Sequence, residues 1–320
     1  MTATFSNPSS STRLRLDELC AHDFCARDES LACHTTIKVG GNARWFARPD
    51  NEDELTAVLR AAKNDGEQIQ NLGNGSNLVA ADAGFDGLVL KLGIGFATHH
   101  IEGDLLVAGG AVLLPLLTKF ALKNNLGNFE WACGIPGAVG GSVWGNAGSR
   151  GWNGHDFESR DAAADLVSVE VFERDGTHRV LEKRDIEFSY RRSSLGEFVI
   201  TKATFRLKPL SENQTKTHQE AVKELLSKRR ETQPVSAASA GCAWKNPNAD
   251  GCQSAGRLVE KLGLKGLRIG GAQISELHGN FVINSGDATG DDVRQLLRTV
   301  ENRVLDATGI VLEREVRLLD

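Results

Sequence analysis

Between Gly134 and Gly151 the chain reads GIPGAVGGSVWGNAGSRG, with no charge before Arg150. The chemistry this suits is chemistry done by backbone. Bare N–H groups in such a loop can cradle phosphate oxygens. A helix or strand over the whole stretch is disfavoured, because each interior glycine costs about 0.5–1 kcal/mol relative to alanine. Linkers are rich in serine and polar residues. This segment instead carries Ile135, Pro136, Val139, Val143 and Trp144, which marks a buried, ligand-facing loop. A second loop, Gly73-Asn-Gly-Ser-Asn77, adds the side chains of Asn74, Ser76 and Asn77. It has the first two glycines of G-x-G-x-x-G but Leu78 in the third place, and a strand-like run follows, which disfavours a Rossmann site. No G-x-x-x-x-G-K-[ST] occurs, so a P-loop is not expected. Alone, Gly73–Asn77 reads equally well as a hairpin turn. Two glycine loops after short strands favour one shared diphosphate ligand.

Other chemistry-bearing residues read blandly by themselves. Cys20, His22, Cys25, Cys33 and His34 cluster, but no C-x2-C pair is present, so no metal site is expected. With Cys133, Cys242 and Cys252 they make six cysteines. No signal-peptide core precedes them, and reduced thiols in a cytoplasm are expected. Arg191 reads as a strand-edge arginine in a surface ion pair, worth at most ~1 kcal/mol. Glu313 and Glu315 share one strand face by the period of two. Cys242 reads as a small buried apolar residue.

The elements that must position these groups follow from periodicity. Leu55, Val58, Leu59 and Ala62 predict a helix over Glu52–Asp65, closed by Gly66. Strands are predicted at Ile69–Leu72 and Leu78–Val79, at Leu88–Leu92 after an Asp86-Gly87 turn, and at Leu105–Ala108. A helix is predicted over Leu113–Asn124. Leu166–Phe172 and His178–Leu181 read as a hairpin turning at Asp175-Gly176. Phe198–Leu207, Phe281–Asn284 and Ile310–Leu318 read as strands. Thr217–Glu231, Gly256–Leu262 and Asp291–Leu305 read as helices, and polar Pro209–Thr215 as a linker. The result is a mixed α+β chain without a solenoid repeat. At 320 residues it has room for two or three domains. A net charge of −5 argues against a broad nucleic-acid or membrane surface. No apolar run approaches the ~20 residues that span a bilayer.

The order of Thr35-Thr-Ile-Lys-Val-Gly-Gly41, Gly73–Asn77, Gly134-Ile-Pro-Gly137 with Gly140-Gly141, and Asn146-Ala-Gly148 resembles the MurB family of UDP-N-acetylenolpyruvoylglucosamine reductases. The likeness continues through Tyr190-Arg-Arg-Ser193, Ser239-Ala-Gly-Cys-Ala-Trp-Lys-Asn-Pro247, Gly270-Gly-Ala-Gln273, Asn280–Asn284 and Glu315-Val-Arg317. It covers nearly everything after residue 30, and the ordered set is far more specific than any one motif. The short spacing between Tyr190 and Cys242 resembles the second subtype.

The resemblance implies a vanillyl-alcohol-oxidase-type (PCMH) flavoprotein. Its parts would be an N-terminal extension (1–30, partly frayed), FAD-binding subdomains at 31–93 and 94–208, and a substrate-binding α+β domain at 209–320. It implies NADPH-dependent reduction of an enolpyruvyl ether to UDP-N-acetylmuramate, by a monomer in the cytoplasm. Gly73, Asn74, Gly75, Ser76, Asn77, Gly134, Ile135, Pro136, Gly137, Gly140, Gly141, Asn146, Ala147 and Gly148 would hold FAD. Arg191 would stabilise charge on the substrate carboxylate, as an arginine fork can. Glu315 would polarise the enolic intermediate or orient the acid. Cys242 stands where many members carry serine, and would be the proton donor. Tyr190, Arg230, Lys245, Asn246, His278 and Asn280 would bind the UDP-sugar. Lys228, Arg229 and Arg230 also suit a helix C-terminal end for structural reasons alone. The alternatives are another FAD-dependent oxidase of the superfamily, acting on a sugar or hydroxy acid, and a non-catalytic nucleotide-binding protein.

Overall fold

A computed structural model describes residues 14–247 and 253–320, so Cys252 and the first part of the expected N-terminal extension lie outside the described residues. The chain forms two compact units. The larger takes in the described residues to Arg27, Trp45–Asn74 and Gly87–Ser227, and the smaller Asp28–Arg44, Gly75–Asp86 and Lys228–Asp320.

In the larger unit, a five-stranded antiparallel sheet runs in the order His178–Glu182, Leu166–Phe172, Val199–Arg206, Leu105–Gly109, His99–Glu102. The hairpin turns at Asp175-Gly176 as read, with Gly176 at φ +85° and the Thr177 N–H donating to Asp175 Oδ1 at 2.9 Å. Leu106, Ala108, Val171, Ala203 and Phe205 point into a core shared with Leu117 of the helix Leu114–Lys123 and Val143 of the helix Val139–Trp144. Pro115 sits in the first turn of the former, where its missing N–H has no cost. A second core forms on the helix Glu52–Asp65, whose Leu55, Val58, Leu59 and Ala62 are fully buried. Asn51 caps that helix through the Glu54 N–H, and Gly66 ends it at φ +72°. Residues Leu16–Leu19 form a short helix and Cys25–Ser30 a strand.

The smaller unit holds an antiparallel sheet in the order Ala238–Cys242, Phe281–Asn284, Ala272–Ile274, Arg268–Ile269. Its core gathers Val79, Trp244, Val259, Leu296, Leu297 and Val300. The helix Gly290–Thr308 is capped by Thr289 and Asp292, and its first amides also donate to the Asp82 carboxylate at 2.6 and 2.9 Å. Leu78–Ala80 pairs in parallel with Arg317–Leu319.

Several expectations are corrected. Asp86 and Gly87 lie inside a strand, Phe85–Leu90, and the turn falls earlier at Gly84, φ +84°. A Cβ there would sit 2.0 Å from Asn42 O, so only glycine fits. The polar stretch taken as a linker starts a helix, Glu212–Thr232. Its Ser211 and Gln214 satisfy the helix start as a capping pair, with the Ser211 N–H donating to Gln214 Oε1 at 2.9 Å. Polar residues chosen to cap look, in sequence, like polar residues chosen to be loose. The expected strand Ile310–Leu318 shrinks to Arg317–Leu319, leaving Glu313 and Glu315 outside it.

Candidate active site

The glycine segment is partly regular: the helix Val139–Trp144 and the strand Gly148–Trp152. Its glycines divide by what faces them. A Cβ on Gly140 would press to 3.0 Å on Ile200 O, so this glycine lets the loop lie on the sheet. A Cβ on Gly141 would meet nothing within 4 Å, so its backbone is bare. Gly73 approaches the same spot, its would-be Cβ 3.8 Å from Gly141 Cα. Asn74 fastens the two loops by donating Nδ2–H to Pro136 O at 2.7 Å. Gly137 O accepts the Leu114 N–H at 3.0 Å, which anchors Gly134–Gly137 on the helix Leu114–Lys123. Gly73 and Gly141 thus offer adjacent, side-chain-free backbone with polar groups at its edge. That floor fits a flavin nucleotide's diphosphate, and either loop's glycines would hold it.

Arg191 is not a strand-edge residue. With Tyr190 it makes the two-residue turn between Phe188–Ser189 and Arg192–Ser193, at φ +58°. A non-glycine residue there is strained by about 1–3 kcal/mol. Its guanidinium is held by the glycine segment itself: Nη2–H donates to Gly148 O at 2.7 Å and Nη1–H to Asn146 O at 3.5 Å. Tyr190, half-exposed, lies under it at 5.1 Å from ring centroid to Cζ. Asn146 is itself locked. It is buried, at φ +43°, donates Nδ2–H to Asp161 Oδ2 and Ser189 O, and accepts the Ala163 N–H. Ala147 and Gly148 follow it into the strand that pairs with Phe157–Asp161.

In the smaller unit, Gly75 stands at φ +66°, and a Cβ on it would fall 2.1 Å from His34 O. Its carbonyl accepts the Thr36 N–H, and Thr36 Oγ1–H donates on to Ser239 O at 2.6 Å. Ser76 O lies 3.3 Å from the would-be Cβ of Gly241, which is at φ +73°. Asn77 donates Nδ2–H to Glu315 O at 3.0 Å. Cys242, half-buried, closes the strand Ala238–Cys242 after a register shift against Phe281–Asn284. The next peptide joins it to Glu315: Ala243 O accepts the Glu315 N–H at 2.9 Å. Asn280 takes both backbone groups of Trp244, accepting its N–H at 2.9 Å and donating to its C=O at 2.8 Å. Lys245 is buried, not solvated, and its ammonium meets Glu313 Oε1 at 2.7 Å. Asn246 Oδ1 accepts the Ala255 N–H that opens the helix Ala255–Lys261. His278 Nδ1 accepts the Asn280 N–H, and burial pushes its imidazole below the usual range, favouring the neutral ring. Arg230 is exposed near the end of its helix.

The structure therefore gathers Tyr190, Arg191, Asn146 and Gly148 in the larger unit. In the smaller it gathers Asn77, Cys242, Lys245, Asn280 and Glu315. Sequence reasoning missed Asn280's hold on Trp244, which no local pattern reports because the partners are 36 residues apart.

A family model described as an FAD binding domain matches residues 43–182, and one described as the UDP-N-acetylenolpyruvoylglucosamine reductase C-terminal domain matches 233–319. A relative named UDP-N-acetylenolpyruvoylglucosamine reductase, from Heliobacterium modesticaldum, is 37% identical over 92% of this chain and 90% of its own. The chain belongs to this reductase family. A relative of the same name from Moorella thermoacetica is 39% identical over 91% of this chain and 92% of its own. The crystal structure of the enzyme from Thermus caldophilus superposes with a TM-score of 0.75 at 34% identity, covering 92% of this chain and 98% of that one. The α+β class, with a flavin-binding part followed by the family's C-terminal domain, stands as read, and FAD is the cofactor. Among the described residues, no helix is long and apolar enough to cross a membrane.

Proposed function

We propose that this protein reduces the enolpyruvyl ether of UDP-N-acetylglucosamine to UDP-N-acetylmuramate with NADPH, as a cytoplasmic monomer supplying peptidoglycan precursor. When bound, FAD supplies the hydride that reaches the substrate's vinyl carbon. The chain's own residues meet the charge and the proton. Negative charge develops on the adjacent carbon and its carboxylate. Arg191 opposes it with a planar fork suited to two carboxylate oxygens. The carbonyls of Asn146 and Gly148 fix the plane of that fork. Cys242 delivers the proton. An ordinary thiol titrates near 8.5, so it is protonated at pH 7 yet a far better acid than a serine hydroxyl. Glu315 polarises the enolic intermediate or orients that acid.

The observation that carries this reading is the Ala243 carbonyl accepting the Glu315 amide, which holds the donor's segment against the glutamate's. Lys245, Asn246, His278, Arg230 and Tyr190 serve the UDP-sugar. Asn280 serves it indirectly, since its amide is committed to both the backbone N–H and C=O of Trp244. The test is anaerobic. NADPH should bleach the yellow flavin, and the enolpyruvyl sugar should restore the colour. Bleaching by simple alcohols with recolouring by oxygen alone would point to an oxidase instead.

A further inference from the structure

Behind the Cys242 segment lies a carboxylate that the reaction does not touch. Glu301 sits on the helix Gly290–Thr308 with its side chain 19% exposed. Its Oε1 accepts the Trp244 Nε1–H at 2.9 Å and the Arg314 Nε–H at 2.6 Å, and its Oε2 accepts the Arg314 Nη2–H at 2.7 Å. Arg314 thus engages it through two parallel bonds, the strongest form of this pairing. Trp244 is fully buried. Trp244 and Arg314 also form an isolated antiparallel bridge with each other. Cys242 is two residues before Trp244, and Glu315 is the residue after Arg314. One carboxylate therefore grips both chain segments, each beside a residue to which the reaction assigns a role.

We propose that Glu301 is a positioning residue that sets the Cys242 segment and the Glu315 segment at their working separation. This rests on the reading of Cys242 as proton donor. The physical reason is geometric. The bridge of one residue pair holds the segments by the Glu315 N–H on Ala243 O and the Lys245 N–H on Glu313 O, at 2.9 and 2.8 Å, and so short a ladder leaves their twist about each other soft. The Trp244 ring and the Arg314 fork, joined on one anion, fix the distance between the chains and their tilt. Displacement by about 1 Å in such a pair can slow a step by about a hundredfold. Glutamine at 301 keeps one oxygen for the indole N–H and the Arg314 Nε–H, but it loses the charge and turns an amide N–H₂ toward Arg314 Nη2–H, donor against donor. The substitution E301Q therefore breaks the Arg314 fork and loosens the tilt of the Glu315 segment while keeping the Trp244 ring held.

The flavin-loaded full chain is tested in two half-reactions. In E301Q, recolouring by the enolpyruvyl sugar should slow about ten- to a hundredfold. Bleaching by NADPH, which needs no proton from Cys242, should stay within about twofold. Alkylation of Cys242 by iodoacetamide, mapped by peptide mass, should quicken several-fold in E301Q. R314K, which keeps the cation but not the fork, should slow recolouring less than E301Q, and it carries the same test should E301Q not fold. Unchanged recolouring with unchanged Cys242 alkylation in a folded variant overturns the proposal. Equal slowing of both half-reactions also overturns it, since that marks general damage. If the unaltered chain is not bleached by NADPH and recoloured by the enolpyruvyl sugar, the underlying reading is what fails.

Discussion

Replacing Asn280 with alanine should destabilise the smaller unit by about 2–6 kcal/mol. The figure comes from the two bonds that its amide makes to the backbone N–H and C=O of one residue, Trp244. Trp244 N–H and Trp244 C=O lose partners at 2.9 and 2.8 Å. Trp244 is fully buried and Asn280 is 5% exposed, so water cannot readily replace the lost groups. A buried donor or acceptor left unsatisfied costs about 1–3 kcal/mol, and two are created at once. The cavity is small and adds little. Because the chain has two units, global unfolding need not be two-state. Hydrogen exchange of the amides from Gly241 to Lys245, read by mass spectrometry, follows the affected peptide directly. Protection there should fall by at least about thirtyfold, the exchange equivalent of about 2 kcal/mol. N280D separates geometry from size. It keeps the acceptor for the Trp244 N–H and sets a carboxylate oxygen against the Trp244 carbonyl, so it should cost at least as much as N280A. Protection in N280A within twofold of the unaltered chain would refute the reasoning.

Other outcomes follow from the same geometry. C242S should keep substantial turnover, whereas C242A should lose the recolouring half-reaction by about a hundredfold while NADPH bleaching persists; equal recolouring in C242A and the unaltered chain removes Cys242 as the acid. Burial holds the His278 imidazole below its ordinary 6.5, so the unfolded chain takes up that proton first. Its contribution is therefore nil well above pH 6.5 and turns destabilising as pH falls from there toward the lower folded value. Thermal unfolding at pH 7.5 and 5.5 should show a smaller drop in H278Q, and an equal drop speaks against the assignment. Cys20 Sγ lies 3.4 Å from Cys25 Sγ, near enough for a modest side-chain rotation to reach a disulfide. Hydrogen peroxide should join them, two thiols and one peroxide giving one disulfide and two waters. Peptide mapping that finds both still alkylatable after Cys33 is consumed would contradict this.

What could be read without coordinates was whatever is local. Asn51, the apolar face of Glu52–Asp65 and Gly66 specify one helix among themselves, and it forms with those bounds. The Asp175-Gly176 hairpin is equally self-contained. Glycine loops announce themselves because no other residue fits. Gly75 against His34 O leaves no space for a Cβ, whereas Gly84, equally tight against Asn42 O, is hidden because Asp86-Gly87 nearby offers the commoner turn pair. Failures came where a partner is distant or a residue type serves two ends. Ser211 and Gln214 read as slack in the sequence, yet they cap a helix. Glu313 and Glu315 looked like alternates on one strand, but Glu313 is spent on Lys245 while the Glu315 amide binds Ala243. Arg191's place at a strained turn tip depends on carbonyls more than forty residues back, and single-chain periodicity is blind to those.

The smaller unit is assembled from three separate stretches of chain, and this sets a timetable for its birth. Asn77 and Leu78–Ala80 leave the ribosome long before their partners, since the Asn77 bond to Glu315 spans 238 positions. At about 5–20 residues per second, that strand waits about 12–48 s for its pair. During this time its apolar residues and open edge are available to any other nascent strand. The larger unit, most of whose residues are made in the interval, can fold meanwhile. Yield in a recombinant host should therefore respond to translation speed and chaperone supply, and mutations that lengthen the wait or raise the hydrophobicity of Leu78–Ala80 should be lost to aggregation before they are lost to instability.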